Sequence, residues 1–447
     1  MNQTAAQTEL PLRSVLPVTA SINEAGHLAI GGCDAVDLVR DFGSPLYVFD
    51  EATLRGQCRD FVTEFRKLYP ETRVRYAAKA YLGRALAALI KEEGLGLDVV
   101  SGGELAIALS VGFPASEIDF HGNNKSEEEL REAVWAGIGH VVVDNFYELE
   151  LLDRVAHSLG RRQPVLLRLS PSVDPHTHGH TTTGILDSKF GFPIETGQAG
   201  DAVRQALQAR GLELRGYHAH LGSPIFELEP YQQSSDVMMA FAEQMVERHN
   251  FVPREFSPGG GFAVQYRASR PAPPVSEYAR IVVGSLEKAC AAHHLPLPAM
   301  SIEPGRSIVG RAGVALYTAG ARKAIPGLRT FVSVDGGMAD NIRPAIYGSE
   351  YEAIVANKPL VPAEETVTIA GRYCESGDIL IKDVNLPCLA AGDIVAIPAS
   401  GAYSLPMASN YNQALKPAIV IVRDGEARLI RRRETYEDLM RTDVYGD

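Results

Sequence analysis

Short apolar runs alternate with helical patterns between residues 74 and 306. Eight of these runs have the length and apolar character of strands, and helix-like stretches separate them. The eight runs are VRYAAKA (74–80), LGLDVV (95–100), EIDFHG (117–122), HVVVDN (140–145), PVLLRLS (164–170), LRGYHAHLG (214–222), EFSPGGG (255–261) and AMSIEPGR (299–306). Eight strand–helix units over this length favour a closed α/β barrel of the (β/α)8 type over an open doubly wound sheet.

The stretches between the runs carry two specific helix signals. Leu82, Leu86, Leu89 and Ile90 have the i, i+4, i+7, i+8 spacing of one helical face. Ser126 followed by Glu129 predicts a capping box at the start of a later helix.

After Arg306 the pattern changes to strands separated by turns, with few long helical periods. The runs VALYTAG (314–320), TFVSVDGG (330–337), TVTIAGRY (366–373), DIVAIPAS (393–400) and AIVIVRDG (418–425) predict a separate β domain, a sandwich or a barrel. HLAIGG (27–32) is expected to add a strand to that domain. The predicted division is an N-terminal segment at 1–46 that packs with the β domain, a barrel at 47–308, and a C-terminal β domain at 309–447.

Composition and charge narrow the class of protein. The chain has 447 residues, of which 45% are apolar and 22% are charged, as in ordinary soluble globular proteins. A net charge of −12 argues against nucleic-acid binding, which needs a basic face to neutralise phosphates. The sign of the overall charge does not restrict a small substrate, because a local site can have either sign.

The cellular compartment of the protein can be predicted from the number and spacing of its cysteines and from its N-terminal sequence. The five cysteines are widely spaced and form no C-x-x-C pair, so neither a disulfide framework nor a zinc knuckle is indicated. MNQTAAQTELPLR has no basic segment followed by an apolar core, so no signal peptide is predicted. No apolar run approaches the roughly 20 residues that span a bilayer. We therefore expect a cytoplasmic protein.

Lys79 interrupts the apolar run YAAKA (76–80). An amine in an apolar setting has a lowered pKa, because burial disfavours its charged form, and it becomes nucleophilic. Such a lysine can form a Schiff base with a substrate carbonyl or with pyridoxal phosphate. Alternatively, Lys79 is structural, with an ion pair or with its amine reaching water.

Two strand ends predict a phosphate site. Gly259, Gly260 and Gly261 end the seventh run, where backbone N–H groups can approach a phosphate, as barrels often arrange after strands seven and eight. Ser223, just after the sixth run, could add a hydroxyl. A glycine run also makes ordinary turns, so this motif alone leaves both readings open.

Glu303 closes the eighth run and is expected to lie deep in the barrel mouth near Lys79, because strands one and eight are neighbours in a closed barrel. A carboxylate against a pyridine nitrogen keeps that nitrogen protonated and makes the ring an electron sink. The alternative is an ion pair between Glu303 and Lys79 inside the barrel.

The histidines allow a third chemistry. His176, His178 and His180 alternate, and His218 and His220 form an H-x-H at a strand end, as metal ligands in barrel hydrolases can. No acidic ligand is recognised beside them, and a metal would leave the lysine and glycine features unexplained. No metal is therefore predicted, and an imidazole is expected to stack on a cofactor ring.

Together the motifs resemble the barrel-type pyridoxal-phosphate decarboxylases of basic amino acids, most closely the diaminopimelate decarboxylases, which share the alanine-racemase-like fold. The resemblance covers nearly the whole chain. It rests on YAAKA (76–80), HAHLGS (218–223), SPGGG (257–261), EPGR (303–306), VDGGMADNIRPAIYG (334–348), GRYCESGD (371–378) and GAYS (401–404).

The resemblance implies a cofactor, pyridoxal 5'-phosphate, and a role for each matching residue. It implies that Lys79 carries the cofactor, that His220 stacks on its ring, and that Glu303 pairs with its nitrogen. The implied phosphate contacts are Ser223, Gly259, Gly260, Gly261, Gly305, Arg306 and Tyr403. The implied substrate contacts are Arg306, Arg343, Tyr347, Glu375 and Tyr403.

Cys374 resembles the residue that returns a proton to the α-carbon after carbon dioxide leaves. In this family Cys374 and Glu375 would reach the active site of the partner subunit, which implies a homodimer. Without the resemblance, the preferred interpretation of Cys374 is an inert small core residue, and that of Arg343 is a surface loop residue.

The implied reaction is the decarboxylation of meso-2,6-diaminopimelate to L-lysine. The end of this substrate that is distant from the reacting carbon carries a carboxylate and an ammonium. Arg306 and Arg343 could pair with the carboxylate, and Glu375 could pair with the ammonium. Alternatives are a decarboxylase of ornithine, lysine, arginine or carboxynorspermidine with the same mechanism, or a catalytically silent relative that only binds the cofactor.

Three positions depart from the family pattern. They are Tyr81, where Asn is usual, Pro224, where Gln is usual, and Ile346, where Leu is usual.

Overall fold

Eight parallel strands close into a barrel in the computed structural model, which describes residues 10–174, 183 and 186–446. Each strand pairs with the next, and the eighth pairs with the first through Met300 opposite Thr72. The strands are Thr72–Ala77, Gly96–Val99, Ile118–Phe120, His140–Val143, Gln163–Ser170, Leu212–His218, Glu255–Gly259 and Ala299–Ile302. The predicted (β/α)8 barrel is confirmed, with each strand within a few residues of its predicted run.

Helices connect the barrel strands, at Arg84–Glu92, Gly102–Ser110, Glu127–Ala136, Phe146–Ser158, Gln198–Gln208, Glu229–His249 and Val275–Ala292, and Glu51–Leu68 precedes the first strand. Leu86, Leu89 and Ile90 are buried on one face of Arg84–Glu92, as their spacing predicts. The capping box is also confirmed. The Glu129 N–H donates to Ser126 Oγ (3.1 Å), and the Ser126 N–H donates to Glu129 Oε2 (3.0 Å).

Four charged side chains from four different strands form a network in the barrel, in which Arg75, Asp119 and His140 are buried and Glu255 is partly exposed. Asp119 contacts the guanidinium of Arg75 and accepts from His140 Nδ1 at 2.9 Å. His140 Nε2 lies 3.3 Å from the Glu255 carboxylate. Burial favours neutral His140, but Asp119 and Glu255 outweigh it and raise the pKa of His140 to about 9.

A second compact unit contains the remaining strands except Phe192–Pro193, which pairs with Gln163–Ser170 in the barrel unit. Its large sheet has nine strands, at Leu46–Asp50, Gly313–Ile325, Arg329–Val334, Ile354–Val355, Glu365–Ala370, Ile379–Leu386, Ile394–Ile397, Ala418–Arg423 and Glu426–Arg431. Short helices lie at Ala35–Phe42, Arg343–Tyr347 and Tyr436–Met440. The separate β domain is confirmed.

The N-terminal segment contributes a strand to this β unit, as expected, although in a small sheet that is separate from the large one. Leu28–Ile30, within HLAIGG, pairs with Ser21–Ile22 and Cys33–Asp34 in a small three-stranded sheet of its own. The strand that joins the large sheet is Leu46–Asp50, antiparallel to Gly313–Ile325 and parallel to Ala418–Arg423. Leu28 and Ile30 still share the apolar core of the unit.

The two compact units are each built from separate stretches of chain. The barrel unit comprises Gln57–Ala263 and Ala272–Ser307. The β unit comprises the chain up to Gly56, Val264–Pro271, and the chain from Ile308 onward. None of the helices in the described part of the chain is long and apolar enough to cross a membrane.

Candidate active site

Lys79 lies in a single 3₁₀ turn, Ala78–Ala80, directly after the first barrel strand. The prediction that it lies within the strand is therefore wrong by two residues. The turn starts where the Ala77 N–H donates to the Pro304 carbonyl (3.1 Å) at the end of the neighbouring eighth strand. Lys79 Nζ extends to 4.0 Å from Asp98 Oδ2, and its side chain is 37% exposed.

Asp98, on the second barrel strand, is fully buried, and among the described residues neither of its carboxylate oxygens has a hydrogen-bond partner. Its Oδ1 lies 3.6 Å from His121 Nε2, which also lacks a partner there. Burial raises the pKa of Asp98 well above its ordinary value. The sequence analysis gave Asp98 no role, although an acidic residue inside the apolar run LGLDVV was a usable signal.

Glu303 follows the eighth strand and is held at both oxygens. Ser257 Oγ donates to Oε1 (2.8 Å), and His218 Nε2 lies 3.1 Å from Oε2. Burial opposes ionisation, but His218, Lys79 and Ser257 together hold the pKa of Glu303 below its ordinary value. Glu303 is thus a buried carboxylate kept in its charged form.

His218 and His220 have different surroundings although they are two residues apart. His218 contacts Glu303, and its ring packs edge-on against His121 with centroids 4.9 Å apart. His121, His218 and Glu303 offer ligand atoms within 4.8 Å of one another. The argument that no acidic group accompanies the H-x-H pair is therefore wrong. His176, His178 and His180 lie outside the described residues.

The His220 imidazole faces the glycine run, since the Gly260 N–H donates to its Nδ1 (3.1 Å). Burial, followed by the nearby Lys79 and Arg168 cations, lowers the pKa of His220 well below its ordinary value. The ring is therefore neutral at pH 7 and offers a flat apolar face.

The glycines after strands seven and eight leave no space for side chains. A Cβ on Gly260 would lie 2.2 Å from the Glu303 carbonyl oxygen, and one on Gly305 would lie 2.9 Å from Ala77 Cβ. Gly259 (φ +76°) and Gly261 (φ +99°) have left-handed backbones that favour glycine. This close packing brings the glycine backbone against the turn that carries Lys79.

Arg306 begins the short helix Arg306–Val309, and its Nε donates to Ser223 Oγ (3.2 Å). The site residues predicted in the barrel unit lie at the carboxyl ends of strands one, six, seven and eight, which pair consecutively in the barrel: Lys79, His220, Ser223, Gly259, Gly260, Gly261, Glu303, Gly305 and Arg306. Two of the three departures from the family pattern, Tyr81 and Pro224, lie on these loops, whereas Ile346 lies in the helix Arg343–Tyr347 of the β unit. Tyr81 is buried one residue after the Lys79 turn, and a cis peptide bond joins Ser223 to Pro224.

The other predicted site residues, Arg343, Tyr347, Cys374, Glu375 and Tyr403, belong to the β unit. Arg343 is buried, with its guanidinium 4.7 Å from the Tyr266 ring centroid and in contact with the Tyr351 hydroxyl. It is therefore not a surface loop residue. Tyr403 has a left-handed backbone (φ +59°), an uncommon conformation for a residue with a Cβ, often found at functional sites.

Cys374 and Glu375 are exposed in the loop between strands Glu365–Ala370 and Ile379–Leu386. Asp378, which is buried, ties this loop to the segment before Arg343, because it accepts from the Tyr373 N–H (2.8 Å) and the Met338 N–H (2.6 Å). Cys374 is therefore not the core residue that its small apolar side chain alone would suggest.

Comparison with known proteins gives consistent results. Residues 54–310 match the family model described as "Pyridoxal-dependent decarboxylase, pyridoxal binding domain". The chain is 45% identical over 426 residues to the diaminopimelate decarboxylase of Bacillus subtilis, covering 95% of this chain and 97% of the relative. It is 44% identical over 442 residues to that of Synechocystis, covering 97% and 93%.

A solved structure is similar over almost the whole length. The diaminopimelate decarboxylase of M. jannaschii, crystallised with L-lysine, matches with a TM-score of 0.90 and 34% identity. The match covers 96% of this chain and 98% of that one.

Proposed function

The chain belongs to the pyridoxal-dependent decarboxylases, and on that premise we propose that it decarboxylates meso-2,6-diaminopimelate to L-lysine. The single observation that supports this best is the ionised Glu303, held by His218 and Ser257 at the end of the strand next to the one that leads to Lys79. A lysine amine and a charged carboxylate at neighbouring strand ends suit the two ends of a pyridoxal ring.

The residues present fit pyridoxal phosphate on three grounds. Buried polar atoms without partners in the described structure, on Asp98 and His121, surround the approach to Lys79. Glycine positions that would clash if a Cβ were added give the close backbone packing that is typical of glycine-rich phosphate loops. Ser223 and Arg306 lie together beside them and add a hydroxyl and a cation.

We propose the following roles in the barrel unit. Lys79 would hold the cofactor covalently, His220 would lie against its ring, and Glu303 would pair with its nitrogen. The phosphate would be held by Ser223, by the backbone at Gly259, Gly260, Gly261 and Gly305, by Arg306, and by Tyr403 of the β unit. When bound, the cofactor supplies an electron sink that stabilises the carbanion left by carbon dioxide.

The remaining steps fall to side chains of the chain itself. Glu303 would keep the ring nitrogen protonated, because its own pKa is lowered and a charged carboxylate favours a proton on its partner. We propose that Arg306, Arg343, Tyr347, Glu375 and Tyr403 bind the substrate. The two arginines suit the distal carboxylate and Glu375 the distal ammonium.

Cys374 is the proposed donor of the proton that replaces the lost carboxylate. Its exposure in a loop of the β unit fits a group that acts on a substrate outside its own unit. We propose a homodimer in which Cys374 and Glu375 serve the barrel of the partner subunit. Sedimentation of the cofactor-loaded protein at micromolar concentration tests this, and a monomer with full activity would refute it.

The experiment that tests the function is an assay of carbon dioxide release from a panel of basic amino acids. The panel contains meso-diaminopimelate, L-ornithine, L-lysine, L-arginine and carboxynorspermidine. We expect kcat/KM for diaminopimelate to exceed every other by about 100-fold, since the others do not present the same distal carboxylate and ammonium pair to the site. Comparable turnover of ornithine or lysine would contradict the substrate assignment.

A further inference from the structure

The backbone of Cys374 is held on both sides by one short segment that the sequence analysis did not single out. The Cys374 N–H donates to Asn412 Oδ1 (3.0 Å), and the Tyr411 hydroxyl donates to the Cys374 carbonyl oxygen (3.3 Å). The Tyr411 ring also packs edge-on against the Tyr373 ring, with centroids 6.2 Å apart. All four residues belong to the β unit.

Asn412 has a backbone conformation that suits its residue type. Its φ and ψ are 51° and 28°, in the left-handed region, where asparagine is better tolerated than most residues with a Cβ. That conformation places a short carboxamide next to the Cys374 loop. Gln413 shares the left-handed backbone (φ 57°).

The remaining support for the loop comes from Asp378, whose carboxylate accepts the N–H of Tyr373, the residue before Cys374. The Ser409 N–H donates to the Ala339 carbonyl oxygen (2.8 Å), which ties the Tyr411 segment to the segment that leads into Arg343. Cys374 is thus an exposed residue on a loop whose backbone is fixed from two sides.

We propose that Asn412 and Tyr411 are positioning residues that fix Cys374 for proton transfer. This inference rests on the proposed function, because it assumes that Cys374 is the proton donor. Proton transfer requires the donor to be within hydrogen-bond reach of the accepting carbon, and small displacements reduce its rate steeply. An exposed thiol on an unsupported loop would reach that geometry in only a fraction of its conformations.

The first test measures the thiol itself, without turnover. In a Cys388→Ser background, Cys374 is the one exposed cysteine, because Cys33, Cys58 and Cys290 are buried. Asn412→Gly keeps the left-handed backbone and removes the acceptor. We expect it to raise the rate of Cys374 alkylation by iodoacetamide in cofactor-free protein about threefold, because the loop is released. Asn412→Asp retains an oxygen acceptor and should restore the original rate.

Gln413→Gly is the matched control, since it introduces the same substitution at the next left-handed position without removing the contact to Cys374. Its alkylation rate should equal that of the background. An unchanged rate in Asn412→Gly, or an equal rise in Gln413→Gly, would refute the positioning role.

The second test measures kinetics with diaminopimelate. Asn412→Gly should lower kcat about 3- to 10-fold and leave KM unchanged, because one hydrogen bond to the donor loop is lost and substrate contacts remain. Tyr411→Phe should lower kcat less, because its bond is longer. A rise in KM with unchanged kcat would contradict the proposal.

The two tests separate this inference from the proposed function. If the wild-type protein releases no carbon dioxide from any member of the panel, the proposed function fails, while the alkylation rates still report whether Asn412 fixes Cys374. If wild-type turnover is normal and Asn412→Gly changes neither alkylation nor kcat, the positioning role alone fails.

Discussion

Lys79 Nζ lies 4.0 Å from Oδ2 of Asp98, a carboxylate that is fully buried and, in the described structure, accepts no hydrogen bond. A buried carboxylate without donors is destabilising when it is charged. The Lys79 ammonium offsets part of that cost. Asp98 therefore reduces the stability of the cofactor-free barrel whenever it is ionised, and it places a carboxyl group beside the reactive amine.

Asp98→Asn should stabilise the cofactor-free protein and impair its activity. Because the folded-state pKa of Asp98 is raised, the wild type loses stability as pH rises from about 4, the ordinary pKa of an aspartate. We expect the variant to unfold with a free energy about 1 kcal/mol higher at pH 7. Urea titrations of both proteins at pH 7 and pH 4 measure this, and the difference should vanish at pH 4.

Lys79→Ala should abolish both turnover and the visible absorbance of covalently bound cofactor, because no other amine occupies that turn. Lys288→Ala is the control, since Lys288 is exposed on the outer helix Val275–Ala292. The absorption spectrum of each purified protein with added pyridoxal phosphate provides the measurement. A lysine-linked band that persists in Lys79→Ala would contradict the assignment of Lys79.

Glu303→Gln should lower kcat by about 100-fold or more while the cofactor remains bound through Lys79 and the phosphate contacts. The amide carries no charge and cannot keep the ring nitrogen protonated. Ser257→Ala removes only one donor to Glu303 and should cost about tenfold or less. If the glutamine variant kept its kcat, the proposed role of Glu303 would be wrong.

The free energy of unfolding of the barrel should fall at alkaline pH because His140 loses its proton there. Its folded-state pKa of about 9 exceeds the ordinary value of about 6.5, so its stabilising contribution is complete below pH 6.5 and is lost as pH rises through 9. Asp119, Glu255, Arg75 and Arg73 are the charged groups around it.

We expect the wild type to lose about 1–3 kcal/mol of unfolding free energy between pH 6.5 and 9.5 from this group. His140→Gln should be less stable at pH 6.5 and show a flatter pH dependence. Urea titrations across that range measure the slope, and equal slopes for the two proteins would contradict the role of His140.

Much of the barrel could be predicted because its strands are short apolar runs at regular spacing. The capping box at Ser126 and Glu129 could be predicted from the sequence because it depends on two residues that are only three positions apart. Lys79 was placed in a strand because YAAKA is uniformly apolar around it. The turn there depends on a hydrogen bond from Ala77 to Pro304, which is more than 200 residues away and leaves no local signal.

Candidate site residues could be proposed from the sequence where a short motif indicates a specific chemistry, as at Glu303 and the glycine run. Contacts between residues that are distant in sequence could not be predicted. Asp98, His121 and His218 come from three strands and meet only when the barrel closes. Asn412 and Tyr411 belong to the same class, because their contact with Cys374 joins positions nearly 40 residues apart.

The division of the chain restricts how this protein can be recombined. The backbone passes between the two units at four places, after Gly56, Ala263, Pro271 and Ser307. Neither unit can be released whole by cutting one peptide bond, and a single genetic crossover cannot exchange one intact unit between relatives. The Val264–Pro271 excursion carries Tyr266, which packs on the Arg343 guanidinium. A chimaera that replaced only the sequence from 308 onward would therefore combine Arg343 from one parent with Tyr266 from the other.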